Sequence, residues 1–323
     1  MIKVNNYFCQ TDQLNKIKTF FETYNNQHWL QFPGGAGGEF FANLISKYST
    51  EYEDLLSDTV VNEYNRTMIS LPKFYKLMAS VPAERGNMED LCNGVIRDAK
   101  ILKLDLDQEL ENAAKYIDYG NKKYLIRVHY SINDYFNTQN SWAIVPDTSM
   151  WIEYVSILKV LKAGSFKMNL EHTAIYFDEY VTKRGCDREQ YDKALQWITD
   201  NLNGEHIYFG YIVCIEYLDE IGGYENLFSM SLVDIYNFFY NKALEKKHVP
   251  WSPIYSPEFG NWSKKFLQDK ITIIEYSKIF EPGYLGSFFN IDNKEFDAEL
   301  LSWHDTNLKL IEAHGFDIKK FKL

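Results

Sequence analysis

Residues Trp29 to Ile45, WLQFPGGAGGEFFANLI, decide how the rest of the chain is read. Of the chain's 17 glycines, Gly34, Gly35, Gly37 and Gly38 fall within five positions. Leu30 and Phe32 close a short apolar run ahead of them, and Phe40, Phe41, Leu44 and Ile45 recur behind them at helical spacing. The segment therefore reads as strand, glycine loop, helix. Glycine accepts positive φ, which lets successive backbone N–H groups turn toward one point. With the positive end of a helix dipole behind it, such a loop is built to hold a phosphate or sulfate group. Gly34, Gly35, Ala36, Gly37, Gly38, Glu39 and Phe40 are the candidate binding residues.

Two common nucleotide loops do not fit. A Walker A loop places Lys and then Ser or Thr after its last glycine, where this chain has Glu39 and Phe40. The dinucleotide fingerprint G-x-G-x-x-G is not supplied by glycines at 34, 35, 37 and 38. The plainest alternative is a tight strand–helix turn without a ligand, in which Glu39 only complements the helix dipole.

Outward from the loop, residues 11–25 predict a leading helix with Leu14, Ile17, Phe20 and Phe21 on one stripe. The pattern between about 51 and 120 is mainly helical. KYLIRVHY (123–130) and WAIVPD (142–147) read as buried strands, followed by a helix with Trp151, Val155, Leu158 and Leu161 facing inward. A charged helical stretch spans about 169–205, and HIYFGYIVCIEYL (206–218) supplies aromatic-rich strand candidates. The helix in SLVDIYNFFYNKALEKK is capped by Ser231, KITIIEY (270–276) is a buried strand, and residues 296–315 form a closing helix stopped by Gly315. Short apolar strands separated by helices predict an α/β fold of three layers around a mainly parallel central sheet. There is no internal repeat, low-complexity tract or composition break, so residues 1–323 read as a single domain.

Composition bounds the function. The formal net charge is −11, from 45 acidic and 34 basic residues, which disfavours a broad nucleic-acid or acidic-membrane surface. Cys9, Cys92, Cys186 and Cys214 are widely spaced without a C-x-x-C pair, which points away from a zinc knuckle and toward a reducing compartment. No run of about 18 apolar residues exists, so a soluble cytoplasmic protein without membrane or nucleic-acid partners is expected.

The loop resembles a divergent sulfotransferase nucleotide loop. In that family a strand leads to a P-[RK]-S-G-[TG]-[TSN]-type loop and an apolar helix, and the loop embraces the 5′-phosphosulfate end of 3′-phosphoadenosine-5′-phosphosulfate. FPGGAGGEFFANLI keeps the proline, the glycines and the helix start. It has Gly35 in place of the loop's basic residue, and Glu39 where a small hydroxyl or amide is usual. YLIRVHY places His129 at the end of an apolar strand, where the family carries a histidine that acts as general base on the acceptor hydroxyl. Imidazole titrates near neutral pH, as that role requires. Arg127, two residues earlier on a strand of period two, is a candidate to face the sulfuryl oxygens.

In AIVPDTSMWIEYVSILK the family's R-[ND]-P turn, whose arginine and a following serine bind the nucleotide 3′-phosphate, becomes Pro146-Asp147. Ser149 or Ser156 is the candidate hydroxyl there, and Lys159 or Lys162 the candidate charge. GNWSKKFLQDKITIIEYSKIFEPG (260–283) is similar to the late segment of the heparan-type and bacterial branches, with Trp262, Phe266 and Pro282 in order. The R-K-G loop of the cytosolic branch is absent. The resemblance implies a P-loop NTPase-like sulfotransferase fold and transfer of a sulfuryl group from 3′-phosphoadenosine-5′-phosphosulfate to the hydroxyl of a small-molecule or carbohydrate acceptor, with no metal required. Tyr208, Tyr211, Trp251 and Tyr255 are candidate acceptor-pocket aromatics. Another nucleotide-dependent phosphoryl-handling enzyme, or a catalytically degenerate binding or structural protein, remain open beside it.

Overall fold

The computed structural model describes residues 11–23, 27–54, 104–111, 123–129, 141–165, 167–184, 186–202, 207–245, 255 and 271–323. The chain is mixed α/β and mostly helical among these residues. The leading helix α1 (Thr11–Thr23) precedes β1 (Gln27–Phe32), the glycine loop, and α2 (Gly38–Tyr48). A short β2 (Tyr52–Asp54), then β3 (Lys123–His129) and β4 (Ser141–Val145) follow. Thr148 caps α3 (Ser149–Lys159), its hydroxyl oxygen accepting from the Trp151 amide at 3.4 Å. The helix continues into a π-helical turn, Val160–Gly164.

Next come β5 (Lys167–Met168), α4 (Leu170–Arg184), α5 (Arg188–Asn201) and β6 (Ile207–Tyr208), with β5 and β6 paired antiparallel. The chain then runs through four short helical segments to α6 (Leu232–Glu245). Strand β7 (Thr272–Glu275) and the closing helix α7 (Lys294–Ala313) complete it.

Five strands form one sheet in the order β2-β3-β1-β4-β7, and every pairing in it is parallel. Both faces of its described strands carry buried apolar side chains, as is usual for a parallel sheet. Leu30, Phe32, Leu125, Ile144 and Ile274 belong to the main core, whereas Ala143, Val145 and Ile271 form a second cluster with Ile273 packed against it. Alternation at Ala143, Ile144 and Val145 assigns successive residues to opposite faces.

Several expected boundaries shift. The leading helix is described over Thr11–Thr23, with residues 24 and 25 of the expected span outside the described residues, and the closing helix runs 294–313, with Asn293 capping Glu295 and Gly315 in the left-handed region just after it. Trp151, Val155, Leu158 and Leu161 are all buried, as their spacing implies. Ser231 and Asp234 cap one another reciprocally: the serine hydroxyl accepts from the Asp234 amide at 3.1 Å, and the carboxylate accepts from the Ser231 amide at 2.9 Å.

The strand expected over 206–218 is corrected. Only Ile207–Tyr208 is extended, and helical turns occupy Phe209–Ile212, Ile215–Tyr217 and Leu218–Ile221. Gly210, Tyr211, Ile212, Val213, Cys214 and Ile215 are all buried, so an apolar run enclosed on every side carries no periodicity to separate strand from helix. Of the 51–120 region, the described part holds β2 and a helix at 106–111. The rest of that region lies outside the described residues, as do Cys9, Cys92, Trp251, Trp262 and Phe266.

Two histidines pack among aromatic rings, one buried and one half-buried. His304 on α7 is 1% exposed; its Nε2–H donates to the Phe321 carbonyl at 2.9 Å, and its Nδ1 takes the Tyr154 hydroxyl at 3.1 Å. That pairing suits the neutral ring, and burial lowers its pKa. His28 lies within β1 rather than ahead of it, stacked on Trp142 and edge-on to Tyr52. Its Nδ1 is buried without a hydrogen-bond partner, and burial together with the Lys123 charge pulls its pKa down to about 4.

Unfolded, both rings take up protons below about pH 6.5. The unfolded state thus binds more protons from about pH 6.5 downward, and folding stability falls as pH drops through that range, to about pH 4 for His28. Replacing His28 by Phe keeps a ring between Trp142 and Tyr52 and removes the orphaned nitrogen. Urea unfolding at pH 5 is expected to show the variant about 1 kcal/mol more stable than wild type, with a shallower pH slope between 5 and 7. An unchanged slope would contradict the assignment.

Candidate functional site

The strand register brings the glycine loop and His129 to one end of the sheet. Phe32, the last residue of β1, is the register partner of His129, the last residue of β3. Leu30 likewise partners Arg127. On the other side β4 ends at Val145, whose partner on β7 is Glu275. The glycine loop thus leaves the central strand of five, with the end of the histidine-bearing strand beside it at a spacing of about 4.8 Å. Arg127 and His129 are described by their positions on β3. In an open parallel sheet such strand ends are where ligands gather.

The loop is a turn closed by the Ala36 amide, which donates to the Pro33 carbonyl at 3.1 Å. Gly35 and Gly37 have φ of 87° and 82°, the left-handed region that side chains avoid. Space is equally restrictive. A Cβ on Gly35 would overlap the Val155 carbonyl oxygen and lie 2.6 Å from the Lys159 amide nitrogen, so the loop rests on the backbone of α3. On Gly37 it would run into the Trp303 indole, and on Gly38 into the Phe32 ring. Ala36 is fully buried. Among the described residues, the amides of Gly35, Gly37, Gly38 and Phe40 donate to no acceptor, as the open first turn of a helix dictates.

Around this turn the structure adds groups that spacing alone did not assemble. The Tyr255 hydroxyl donates to the Gly34 carbonyl at 3.3 Å, and the Tyr255 amide donates to the Ser156 hydroxyl oxygen at 3.0 Å. The Lys159 ammonium lies 4.3 Å from the centre of the Tyr255 ring. On the other flank Phe40 stacks on Trp303 at 5.0 Å, and the Lys162 ammonium lies 5.3 Å from that indole. Two lysines three residues apart on α3 and its π turn are therefore each laid over an aromatic ring that touches the loop.

The remaining candidates occupy distinct environments. Glu39 is exposed in the first turn of α2. Ser149 is exposed at the start of α3. Ser156 is buried, its single proton donated to the Ile152 carbonyl at 2.7 Å while its oxygen accepts from Tyr255. Pro146 is buried, and the Asp147 carboxylate accepts from both the amide and the hydroxyl of Ser277, at 2.8 and 2.7 Å, tying the turn after β4 to the turn after β7. Tyr208 and Tyr211 pack against one another, and the Tyr211 hydroxyl donates to the Met230 carbonyl. Of the described pocket aromatics, Tyr255 is the one bonded to the loop.

A separate cavity of about 590 Å³ lies between α5 and the turns at 218–224, lined by Asp187, Lys193, Asp219 and Tyr224 among others. Its Asp187 caps α5 and its Glu189 pairs with Lys193, so these lining groups serve the helix. No described helix is long and apolar enough to cross a membrane. No protein-family model, curated protein or solved structure matches the chain.

The packing at the loop yields a contrast that mutagenesis can read. Gly35→Ala combines left-handed strain with a collision against the α3 backbone and is expected to cost about 3 kcal/mol. Gly315→Ala has a similar φ of 85° but open space around it and is expected to cost about 1 kcal/mol. Urea denaturation of both variants measures the difference, and equal losses would contradict the contact with α3.

Proposed function

We propose that this chain is a P-loop-like sulfotransferase that moves a sulfuryl group from 3′-phosphoadenosine-5′-phosphosulfate to an acceptor hydroxyl. The observation that carries the reading is positional. A glycine loop leaves the C-terminal end of the central strand of an all-parallel five-stranded sheet, and His129 ends the neighbouring strand in register with Phe32.

In this reading the loop amides and the N-terminal end of α2 receive the phosphosulfate oxygens, whose negative charge suits unpaired N–H groups and a helix dipole. His129 accepts the proton of the acceptor hydroxyl as its oxygen attacks sulfur. The new S–O bond forms opposite the breaking bond between sulfur and the bridging phosphate oxygen. The sulfate ester leaves on the acceptor, adenosine 3′,5′-bisphosphate departs with the electron pair of the broken bond, and the imidazolium releases its proton to solvent. Arg127 is assigned a supporting role toward the sulfuryl oxygens. Glu39 is exposed, which is compatible with an anion at the amides behind it.

One observation favours a second reading, a phosphoryl-handling enzyme using another nucleotide. The turn after β4 carries Pro146 and a carboxylate held by Ser277, so it offers no arginine to a 3′-phosphate.

Calorimetric titration of the full chain with adenosine 3′,5′-bisphosphate is expected to give a dissociation constant near the micromolar range. ATP or GTP binding in its place would favour the second reading. His129→Ala is expected to keep nucleotide affinity while lowering sulfuryl transfer to an identified acceptor about 10²- to 10⁴-fold. Full turnover by that variant would remove the histidine from the mechanism.

A further inference from the structure

The cavity of about 590 Å³ beside α5 has walls that the glycine loop does not share. One wall is the start of α5, with Asp187, Glu189, Gln190 and Lys193; the other is the turn from Leu218 to Tyr224. Its volume falls within the ~300–1,000 Å³ of small-molecule sites. Gly222 and Gly223 have φ of 90° and 100°, so this turn follows a path that side chains avoid. A Cβ at Gly223 would meet nothing within 4 Å, which leaves open space at that wall.

Tyr224 begins the short helix Tyr224–Ser229 and lines the cavity. Trp197 of α5 stacks on its ring at 5.8 Å and 23°, and Phe228 stacks on Trp197 in turn at 5.0 Å and 10°. All three rings are half-buried. Trp197 takes one face of Tyr224, and no other ring meets it among the described residues. The stack thus holds a flat apolar face beside a polar cavity. Around it, Gln190 donates its Nε2–H to the Ile215 carbonyl at 2.7 Å, which orients the amide and leaves Oε1 as an acceptor. Lys193 is paired with Glu189, and one Asp187 oxygen accepts from the Glu189 amide. The Asp219 carboxylate and the Tyr224 hydroxyl carry no hydrogen bond among the described residues.

Acceptors outnumber donors along these walls, so the matching ligand is one that donates. An ammonium ligand would meet Lys193, whose charge acts on Tyr224. An anionic ligand would meet Asp187, Glu189 and Asp219. Uncharged hydroxyls avoid both conflicts. A pyranose ring has an apolar face of C–H groups that settles on the electron-rich face of an aromatic ring. The hydroxyls at its rim donate to carboxylates in charge-assisted bonds. We propose that this cavity binds a neutral oligosaccharide, one sugar ring lying on Tyr224 and its hydroxyls donating to Asp219 and to the Gln190 amide oxygen. The site shares no residue with the glycine loop and stands independently of the transfer reading.

Calorimetry on the full-length protein tests it, with maltotriose, cellotriose and N-acetylated chitotriose as neutral probes. Spermidine and a heparin-derived tetrasaccharide serve as the cationic and anionic probes. At least one neutral probe is expected to bind in the millimolar range or tighter, and more tightly than either charged one. Tyr224→Ala removes the ring face and Asp219→Ala the carboxylate, and each is expected to weaken that binding about tenfold. Tyr224→Phe keeps the face and is expected to stay within about threefold of wild type. If Tyr224→Ala does not fold, Asp219→Ala, at an exposed position, and Tyr224→Phe carry the test.

No binding of any neutral probe overturns the proposal, as does sugar binding that Tyr224→Ala and Asp219→Ala leave undiminished. Tighter binding of spermidine or of the acidic tetrasaccharide overturns the assignment of a neutral ligand. Sugar binding that depends on Tyr224, without binding of adenosine 3′,5′-bisphosphate, upholds this site and overturns the transfer reading. Binding of the bisphosphate without any neutral sugar does the reverse.

Discussion

Positions 35, 37 and 38 leave no room for a side chain, and the arrangement of the strand ends depends on that. Two segments remote in sequence and the strand that enters the loop converge on these glycines: the backbone of α3 at Gly35, the indole of Trp303 at Gly37 and the ring of Phe32 at Gly38. Were any of these sites to carry a Cβ, the segment packed on it would have to withdraw. The close approach of α3 brings its C-terminal lysines to the loop, and the approach of α7 places an aromatic wall over it. Left-handed geometry at Gly35 and Gly37 then turns the loop so that the first amides of α2 stay open. Backbone strain and van der Waals exclusion, rather than any single polar bond, build the candidate site.

The aromatic core keeps those approaches fixed. His304, adjacent to Trp303 on α7, is enclosed by Trp151, Tyr154 and Phe280, with the Tyr276 ring against Trp151 and Phe280. Its two ring nitrogens join α3, through Tyr154, to the C-terminal segment, through Phe321. A buried imidazole with both nitrogens paired resists displacement because breaking either bond leaves a polar atom unsatisfied in the core. Trp303 is therefore anchored by its neighbour. Exposed ion pairs such as Lys16–Asp107 and Lys123–Glu51 add little by comparison, since solvent screens them.

Much of the architecture was legible in the sequence because it rests on local pattern. Strands β1, β3, β4 and β7 are compact apolar runs, and α3, α6 and α7 carry helical stripes with recognisable caps. The 206–218 stretch misled because burial on all sides erased its periodicity, leaving β-favouring residues to suggest a strand that tertiary packing did not allow. The glycine cluster announced a special turn, but not its neighbours: the sheet register that sets His129 beside Phe32, the rest of Gly35 on α3 and the Tyr255–Gly34 bond are contacts between distant segments. Lys159 and Lys162 were visible only as cations following a lost arginine. Their three-residue spacing signals a shared helix face, yet nothing local told that this face meets the loop.

The most direct test of the central claim, that the glycine turn is an oxyanion cradle bounded by α3 and α7, is a diffraction map of crystals soaked with adenosine 3′,5′-bisphosphate. The account predicts phosphate density with oxygens within hydrogen-bonding distance of amides between Gly35 and Phe40. Nucleotide density elsewhere, with the loop amides uncontacted, would contradict it.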